Sequence, residues 1–156
     1  MQLSIPILKR FFTIFFLALF LFVVIAGLTT RFTVQKKTIQ AITIGTTTLH
    51  VALAITESEK QAGLSGLPSL PEDQAMLFVF GTSGRHGFWM KDMHFPIDII
   101  WLDGQRMIVH IEANVHPDSY PQIFIPTRDA LYVLETVAGF SEKEKIHVGD
   151  QVQFLD

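Results

Sequence analysis

Two carboxylates stand in stretches of sequence that are otherwise apolar. Asp98 has an isoleucine on each side, and Glu135 would share a strand face with Val133 and Val137. A carboxylate on an apolar face is costly unless it is paired or hydrogen-bonded, so each of these two needs a partner. Asp98 and Glu135 are therefore the first candidates for acid–base chemistry.

Aromatic and basic residues lie close to the first of these carboxylates in the sequence. In an extended strand, Trp89 and Lys91 share one face, which sets an aromatic ring beside an ammonium group. That pair suits a ligand with a flat or sugar-like face and a negatively charged or carbonyl oxygen. Asp92 follows directly, and a glycine-rich loop before this segment supplies Arg85 and His86.

The sharpest hypothesis is that these residues converge in one cleft. The candidate ligand-binding residues are then Arg85, His86, Trp89, Lys91, Asp92, Asp98 and Glu135. Two carboxylates and a histidine would be available there for acid–base work on a polar substrate. In the structural alternative, Asp98 and Glu135 accept backbone N–H groups or pair with Lys91. The Trp89 ring is then simply part of the core. Burial selects these residues but selects no reaction, so no catalytic residue is assigned.

The histidines invite a metal interpretation, because His110 and Glu112 have the spacing that shares a strand face. No helical zinc motif or close ligand cluster accompanies them, so we predict no metal site. The chain has no cysteine, which excludes a disulfide framework, a thiolate metal site and a cysteine nucleophile. The sequence also lacks a phosphate-binding loop, and we predict no cofactor.

An almost unbroken apolar run at residues 11–28 follows Lys9 and Arg10. At about 1.5 Å per residue, a helix of this length just crosses a hydrocarbon core, and a preceding basic pair is typical of a signal peptide or signal anchor. The run is longer than the usual signal core of about 7 to 15 residues, which favours an uncleaved anchor. We therefore predict a signal peptide or anchor at residues 1–28, with a transmembrane helix at about 11–28 in the lipid bilayer.

A linker at residues 29–37 and a single globular domain at residues 38–156 follow this leader. The domain is expected to lie outside the cytoplasm, in the periplasm or the extracellular space, attached to the inner or plasma membrane. Cleavage of the leader would make it a secreted protein.

The domain is acidic, which the net charge of −3 for the whole chain conceals. Residues 38–156 contain seven lysines and arginines and all 15 acidic residues, which gives a net charge of −8. Nonspecific nucleic-acid affinity comes from clustered basic side chains that release counterions, so we predict no nucleic-acid partner.

Short alternating segments with frequent turn signals predict a β-rich fold. Strands are predicted at residues 39–44, 48–55, 75–80, 88–91, 97–102, 107–113, 130–137 and 151–155. Capping-box patterns at Thr56 with Glu59 and at Ser141 with Glu144 predict two short helices. We expect a mostly β (α+β) fold, either an antiparallel β-sandwich or a partly open barrel, behind one N-terminal hydrophobic helix. A parallel βαβ arrangement is disfavoured because no helix is long enough for repeated crossovers.

An ordered set of short motifs spans nearly the whole domain: Gly63-Leu64, Leu70-Pro71-Glu72-Asp73, Met76-Leu77-Phe78-Val79-Phe80, Phe88-Trp89-Met90-Lys91-Asp92, Pro96-Ile97-Asp98-Ile99-Ile100-Trp101, Val133-Leu134-Glu135, Ala138-Gly139 and Val148-Gly149-Asp150. This set resembles the family catalogued as domain of unknown function 192 (DUF192). The resemblance implies a compact β-rich domain, often exported behind a signal or anchor, and implies no known reaction. Two positions depart from the family pattern, which commonly has Arg in place of Leu67 and Gly in place of Ala75. Any site that the family builds on that arginine is therefore missing one member here.

Two classes of function fit these observations. The first is a membrane-anchored or exported envelope domain that binds a small molecule, a glycan or a protein, or acts as an accessory module, through the Trp89 face and nearby acids. The second is an enzyme of unknown reaction that uses an acid–base cluster of Lys91, Asp98 and Glu135. A carboxylate that titrates near neutrality in a cleft would favour the enzyme, and a flat, wet Trp89 surface would favour the partner module. We favour the binding or accessory function.

Overall fold

Seven strands form one sheet in the structure, a computed structural model that describes residues 39–155. The strands are β1 (Ala41–Ile44), β2 (Thr47–Ala54), β3 (Gln74–Gly84), β4 (Ile97–Leu102), β5 (Ile108–Val115), β6 (Ala130–Val137) and β7 (Val152–Leu155). Their order across the sheet is β5-β4-β6-β3-β2-β1-β7. The predicted transmembrane helix at residues 11–28 and the linker at 29–37 lie outside the described residues.

The two short helices are α1 (Glu57–Ala62) and α2 (Phe140–Lys143). The capping box predicted for α1 is confirmed. The Thr56 hydroxyl accepts the N–H of Glu59, and the Glu59 carboxylate accepts the N–H of Thr56. In the described part of the chain, no helix is long and apolar enough to cross a bilayer.

The mostly β fold with two short helices is confirmed, and its sheet curls into a half-barrel. The edge strand β5 begins beside the turn that precedes the other edge strand, β7. There the N–H of Ile108 donates to the Asp150 carbonyl at 2.9 Å, and the N–H of Gly149 donates to the Ile108 carbonyl at 2.8 Å. The strands thus make one curled sheet, which corresponds to the partly open barrel among the two predicted architectures.

The sheet is antiparallel except between β2 and β3, which run parallel. Their connection passes through α1 and the loop at residues 63–73. A parallel pair needs a crossover of a dozen or more residues, and the loop supplies the length that the short helix lacks. One βαβ unit therefore forms, whereas a fold built on repeated parallel crossovers, which the sequence disfavoured, does not.

Residues 88–91 do not form the predicted strand. They contribute only an isolated bridge between Phe88 and Phe124. The chain turns immediately afterwards at Lys91 and Asp92, where Asp92 has a left-handed φ of 55°. Trp89 and Lys91 consequently do not stand side by side on a strand face.

The central strands carry apolar residues on both faces of the sheet. All six residues of β4 are buried, which explains why its sequence shows no polar face. Ile100 belongs to a cluster with Phe140 of α2, whereas Ile99 belongs to a second cluster with Leu64, just after α1. We call these two sides of the sheet the α2 face and the α1 face.

Asp98 is fully buried on the α2 face, and its carboxylate accepts four hydrogen bonds. Oδ1 accepts the N–H groups of Asn114 at 2.8 Å and Gly139 at 3.0 Å. Oδ2 accepts the N–H of Ser141 at 2.8 Å and its hydroxyl at 2.6 Å. The carboxylate therefore joins β4 to the end of β5 and to the start of α2.

The capping box predicted at Ser141 and Glu144 does not form. Gly139 is the N-cap of α2, in the left-handed conformation, and Ser141 lies inside the helix. The Ser141 hydroxyl is engaged by Asp98 instead, because a buried carboxylate is the stronger acceptor.

We expect Asp98→Ala to lower the free energy of unfolding by about 3–5 kcal/mol, because it strips buried donors of their acceptor. Chemical denaturation at neutral pH measures this loss. Asp118→Ala, which removes an exposed carboxylate, is the control and should change stability by less than about 0.5 kcal/mol. Equal effects of the two substitutions would contradict this structural role.

Candidate functional site

A cleft of about 220 Å³ opens on the α1 face of the sheet. It is bounded by α1 with the turn that follows, by β3 and by the loop after β3. The lining comprises residues 60–65, Phe78, Phe80, residues 87–89, Met93 and Glu135. Four aromatic side chains line it, and Glu135 supplies the one carboxyl group of the lining, so we call it the Glu135 cleft.

The strand pairing of β6 fixes the position of Glu135. Its neighbours across the sheet are Met76 of β3 and Ile99 of β4. Only 5 % of its surface is exposed, and its Oε2 has no hydrogen-bond partner among the described residues. Gly63 lies beside the same oxygen, since a Cβ at this position would stand 3.9 Å from it. The absence of a side chain at Gly63 keeps the carboxyl group open to the cleft.

Burial raises the pKa of Glu135 from the ordinary 4.5 to about 8. Among residues 39–155 no cation pairs with the group, so the protonated form dominates at neutral pH. Glu135 therefore presents both an O–H donor and a carbonyl acceptor to whatever enters the cleft.

Lys60 is the other ionisable group that lines the cleft. Its Nζ lies 2.6 Å from Oε1 of Glu57 and 4.8 Å from the centre of the Phe80 ring. The ring of His86 also stacks on Phe80, with ring centres 3.6 Å apart. One aromatic wall of the cleft is thus in contact with two cationic or potentially cationic side chains.

Trp89 forms the rim of the cleft rather than part of the core. Its side chain is 51 % exposed, and its ring lies 6.0 Å from that of Tyr120. The backbone beside it is fixed by the two hydrogen bonds that Phe88 and Phe124 exchange, at 2.8 and 2.9 Å. The structural alternative is therefore wrong about Trp89, although its other part is confirmed for Asp98, which accepts backbone N–H groups.

The remaining residues of the predicted cleft have other positions. The Nε of Arg85 donates to the Pro126 carbonyl at 2.7 Å, which ties two loops together. His86 lies behind Phe80, and its carbonyl accepts the indole N–H of Trp101. Lys91 and Asp92 are exposed and do not line the cleft.

The predicted convergence of Asp98 with Glu135 is wrong. Asp98 pairs with Thr136 across the sheet, whereas Glu135 pairs with Ile99. Because successive residues of a strand point to opposite faces, the two carboxyl groups lie on opposite sides of the sheet. The donors around Asp98 make it a structural residue, and the acid–base cluster of Lys91, Asp98 and Glu135 does not form.

Lys60, Gly63 and Phe80 belong to the cleft but were not among the predicted site residues. Gly63 carried a signal, since it stands in a family-like motif. The structure adds the physical reason, because its φ of +50° favours glycine. Lys60 had no such signal, because a lysine in a short helix is ordinarily a solvated residue. Of the two departures from the family pattern, Leu67 is exposed outside the cleft and Ala75 is buried on the α2 face.

The side chains of His110 and Glu112 meet, as their spacing predicted, with Nε2 of His110 3.0 Å from Oε1 of Glu112. Among residues 39–155, however, no group of three or more His, Asp or Glu residues is placed to hold a metal ion.

The buried carboxyl group makes stability depend on pH with a definite sign. Between pH 4.5 and about 8, the folded protein keeps the Glu135 proton that the unfolded chain has lost. The free energy of unfolding should therefore fall by about 1.4 kcal/mol per pH unit over this window because of this group.

The substitution Glu135→Gln should remove that contribution, so the variant gains stability relative to the parent as the pH rises from 4.5 to about 8. Denaturation series at several pH values measure the difference. Glu142→Gln, which replaces an exposed carboxylate outside the cleft, is the matched control. A constant difference between Glu135→Gln and the parent would argue against the raised pKa.

Comparisons with known proteins agree with the motif pattern. The family model described as DUF192, Uncharacterized ACR, matches residues 39–154. A UPF0127 protein of Pyrococcus abyssi (strain GE5 / Orsay), from the same family, is 33 % identical over 86 residues, which cover 52 % of this chain and 68 % of the relative.

Two crystal structures share the fold with this chain. A protein of unknown function from Novosphingobium aromaticivorans DSM 12444 is 28 % identical with a TM-score of 0.69, over 72 % of this chain and 83 % of that one. A Sinorhizobium meliloti 1021 protein, provisionally described as a transcription regulator, is 27 % identical with a TM-score of 0.69, over 73 % of this chain and 90 % of that one. The predicted resemblance is thus confirmed, and the chain belongs to the uncharacterised DUF192 family.

Proposed function

We propose that this is an envelope protein whose domain binds a small molecule in the Glu135 cleft. The observation that carries the proposal is Oε2 of Glu135, which is buried without a hydrogen-bond partner among the described residues. Leaving such an atom unpaired costs about 1–3 kcal/mol, and native proteins keep few of them. A ligand that bonds to this oxygen removes the cost and contributes to its own affinity.

The shape and lining of the cleft support a small molecule over a protein or a glycan chain. A volume of about 220 Å³ accommodates one ring or a few carbons with a polar group. The walls formed by Phe78, Phe88 and Trp89 are apolar, and Glu135 supplies the polar group that would orient a ligand.

An enzyme that uses Glu135 as a general acid is the second candidate. The pKa of about 8 favours it, because an acid with a pKa near the working pH transfers protons efficiently. Binding is the better supported function, since the only other ionisable side chain in the lining, Lys60, is engaged by Glu57. Catalysis would require a second reacting group that these residues do not supply.

We do not extend the description of the Sinorhizobium relative as a transcription regulator to this chain. Seven bases and 15 acids in residues 38–156 make the domain strongly acidic. Such a surface repels the phosphate backbone of DNA.

The binding function predicts that a library of small fragments contains ligands for the cleft. Ligand-observed NMR on the protein should find fragments whose signals are affected by the parent and far less by Glu135→Leu or Trp89→Ala. Lys91→Ala is the matched control, because Lys91 is exposed and lies outside the cleft. Fragments that bind all four proteins equally would place the ligand site elsewhere.

The proposal includes attachment to the membrane through residues 11–28, with the domain outside the cytoplasm. We expect the chain to remain in the membrane fraction after an alkaline wash, and a variant without residues 11–28 to be released. Mass spectrometry of the mature protein then distinguishes an anchor from a cleaved leader. A mature chain that begins near Ala26 would overturn the anchor and leave the binding function intact.

A further inference from the structure

Among the described residues, no basic side chain forms an ion pair with the carboxyl group of the Glu135 cleft. Buried carboxylates in proteins are paired with cations or with several donors, as Asp98 is on the opposite face. Glu135 has neither a salt bridge among the described residues nor a partner for Oε2. A cation that entered the cleft would supply both the charge and the hydrogen bond.

The walls of the cleft also favour a positive charge. Aromatic faces attract cations through their quadrupole, and the attraction strengthens where water is excluded. Phe78 and Phe88 meet at right angles with ring centres 4.8 Å apart, and Phe80 and Phe88 meet at 81°. Lys60 already uses this property, with its ammonium 4.8 Å from the centre of the Phe80 ring.

The charge of Lys60 opposes a second cation only weakly, because Lys60 is already paired. Its Nζ lies 2.6 Å from the carboxylate of Glu57. The domain as a whole is acidic, with seven bases against 15 acids, which attracts organic cations rather than anions.

We propose that the Glu135 cleft binds the ammonium group of a small organic amine, with the ionised Glu135 as its counter-ion and the aromatic walls around its carbon atoms. This inference rests on the proposed binding function and names its ligand class. A volume of about 220 Å³ limits the enclosed part of the ligand to the ammonium group and one ring or short chain.

Binding of a cation must displace the proton from Glu135, so affinity rises with pH. The groups that face Glu135 from the neighbouring elements are Met76 of β3, Ile99 of β4 and the segment after α1, none of which titrates. The charged groups nearby are Lys60 with its partner Glu57, and His86 behind Phe80. Any contribution of these groups to the pH dependence persists when Glu135 is replaced.

The test uses the full chain in nanodiscs of zwitterionic lipid, with empty nanodiscs as the blank. The probes are benzylamine, which is protonated at the pH values used and carries N–H donors for Oε2 of Glu135, and benzyl alcohol, a neutral molecule with a similar ring. Tryptophan fluorescence reports binding, because Trp89 lies at the rim of the cleft while Trp101 is fully buried. Both titrations are run at constant ionic strength.

The affinity for benzylamine should rise about tenfold per pH unit from about pH 6 and level off near pH 8, the pKa of Glu135. Glu135→Gln should weaken binding at pH 8 and reduce this rise to the contribution of the remaining groups. Lys60→Met, which removes an already paired cation and keeps an apolar chain over Phe80, should strengthen binding only slightly. Lys91→Met, outside the cleft, should leave the affinity unchanged.

Three results would overturn the inference. The first is benzyl alcohol binding at least as tightly as the ammonium probe, which would mean that the protonated carboxyl binds neutral molecules. The second is an affinity for the ammonium probe that falls as the pH rises, which would mean that ionised Glu135 is not its counter-ion. In both cases the cleft remains a ligand site, and only the ligand class is wrong. If neither probe binds at the highest usable concentration, the amine inference fails, and the fragment screen decides the binding function separately.

Discussion

The carboxylate of Asp98 holds together the three elements on which the rest of the domain is built. In β4, Ile97 pairs with Val115 of β5 and Ile99 pairs with Glu112, so β5 carries one extra residue opposite Asp98. Such a bulge leaves backbone groups outside the ladder. Asp98 accepts the N–H of Asn114 in this bulge, together with the donors of the turn that leads into α2. A single side chain thus satisfies the irregular backbone at both neighbours of β4.

Asp98 receives several hydrogen-bond donors, whereas Oε2 of Glu135 on the neighbouring strand receives none from the described residues. The two carboxyl groups occur on adjacent strands, one residue out of register, and therefore on opposite faces of the sheet. On the α2 face, turns and a helix start deliver backbone N–H groups to the carboxylate. On the α1 face, the neighbours are apolar or aromatic side chains, and Gly63 contributes no side chain at all. One buried carboxyl is consequently structural, and the other is available to a ligand.

The half-barrel holds the backbone of Glu135 rigidly beside the cleft. Glu135 stands on a strand with neighbours on both sides, so its backbone has little freedom to move away from the cleft. The opposite wall comes from α1 with the turn that follows it and from the loop after β3. Two hydrogen bonds join them. The Ser65 hydroxyl donates to the Lys91 carbonyl, and the Gly66 N–H donates to the Asp92 carbonyl. Lys91 and Asp92 thus contribute to the cleft through their backbone, although their side chains lie outside it. This division explains how residues within a shared motif can matter to a site that their side chains do not enter.

The sequence by itself determined the strand-rich fold, the first capping box and the family, because alternating hydrophobicity and ordered motifs are local properties of the chain. It also selected Asp98 and Glu135, since a carboxylate among apolar neighbours is visible without coordinates. It did not predict the turn at Asp92, because φ values are not visible in composition, and it therefore placed Trp89 and Lys91 together. Only the tertiary structure decided which carboxyl group receives donors and which one meets aromatic walls. That outcome depends on strand order, on a one-residue difference in register and on a bulge, which are set by contacts between segments far apart in the sequence.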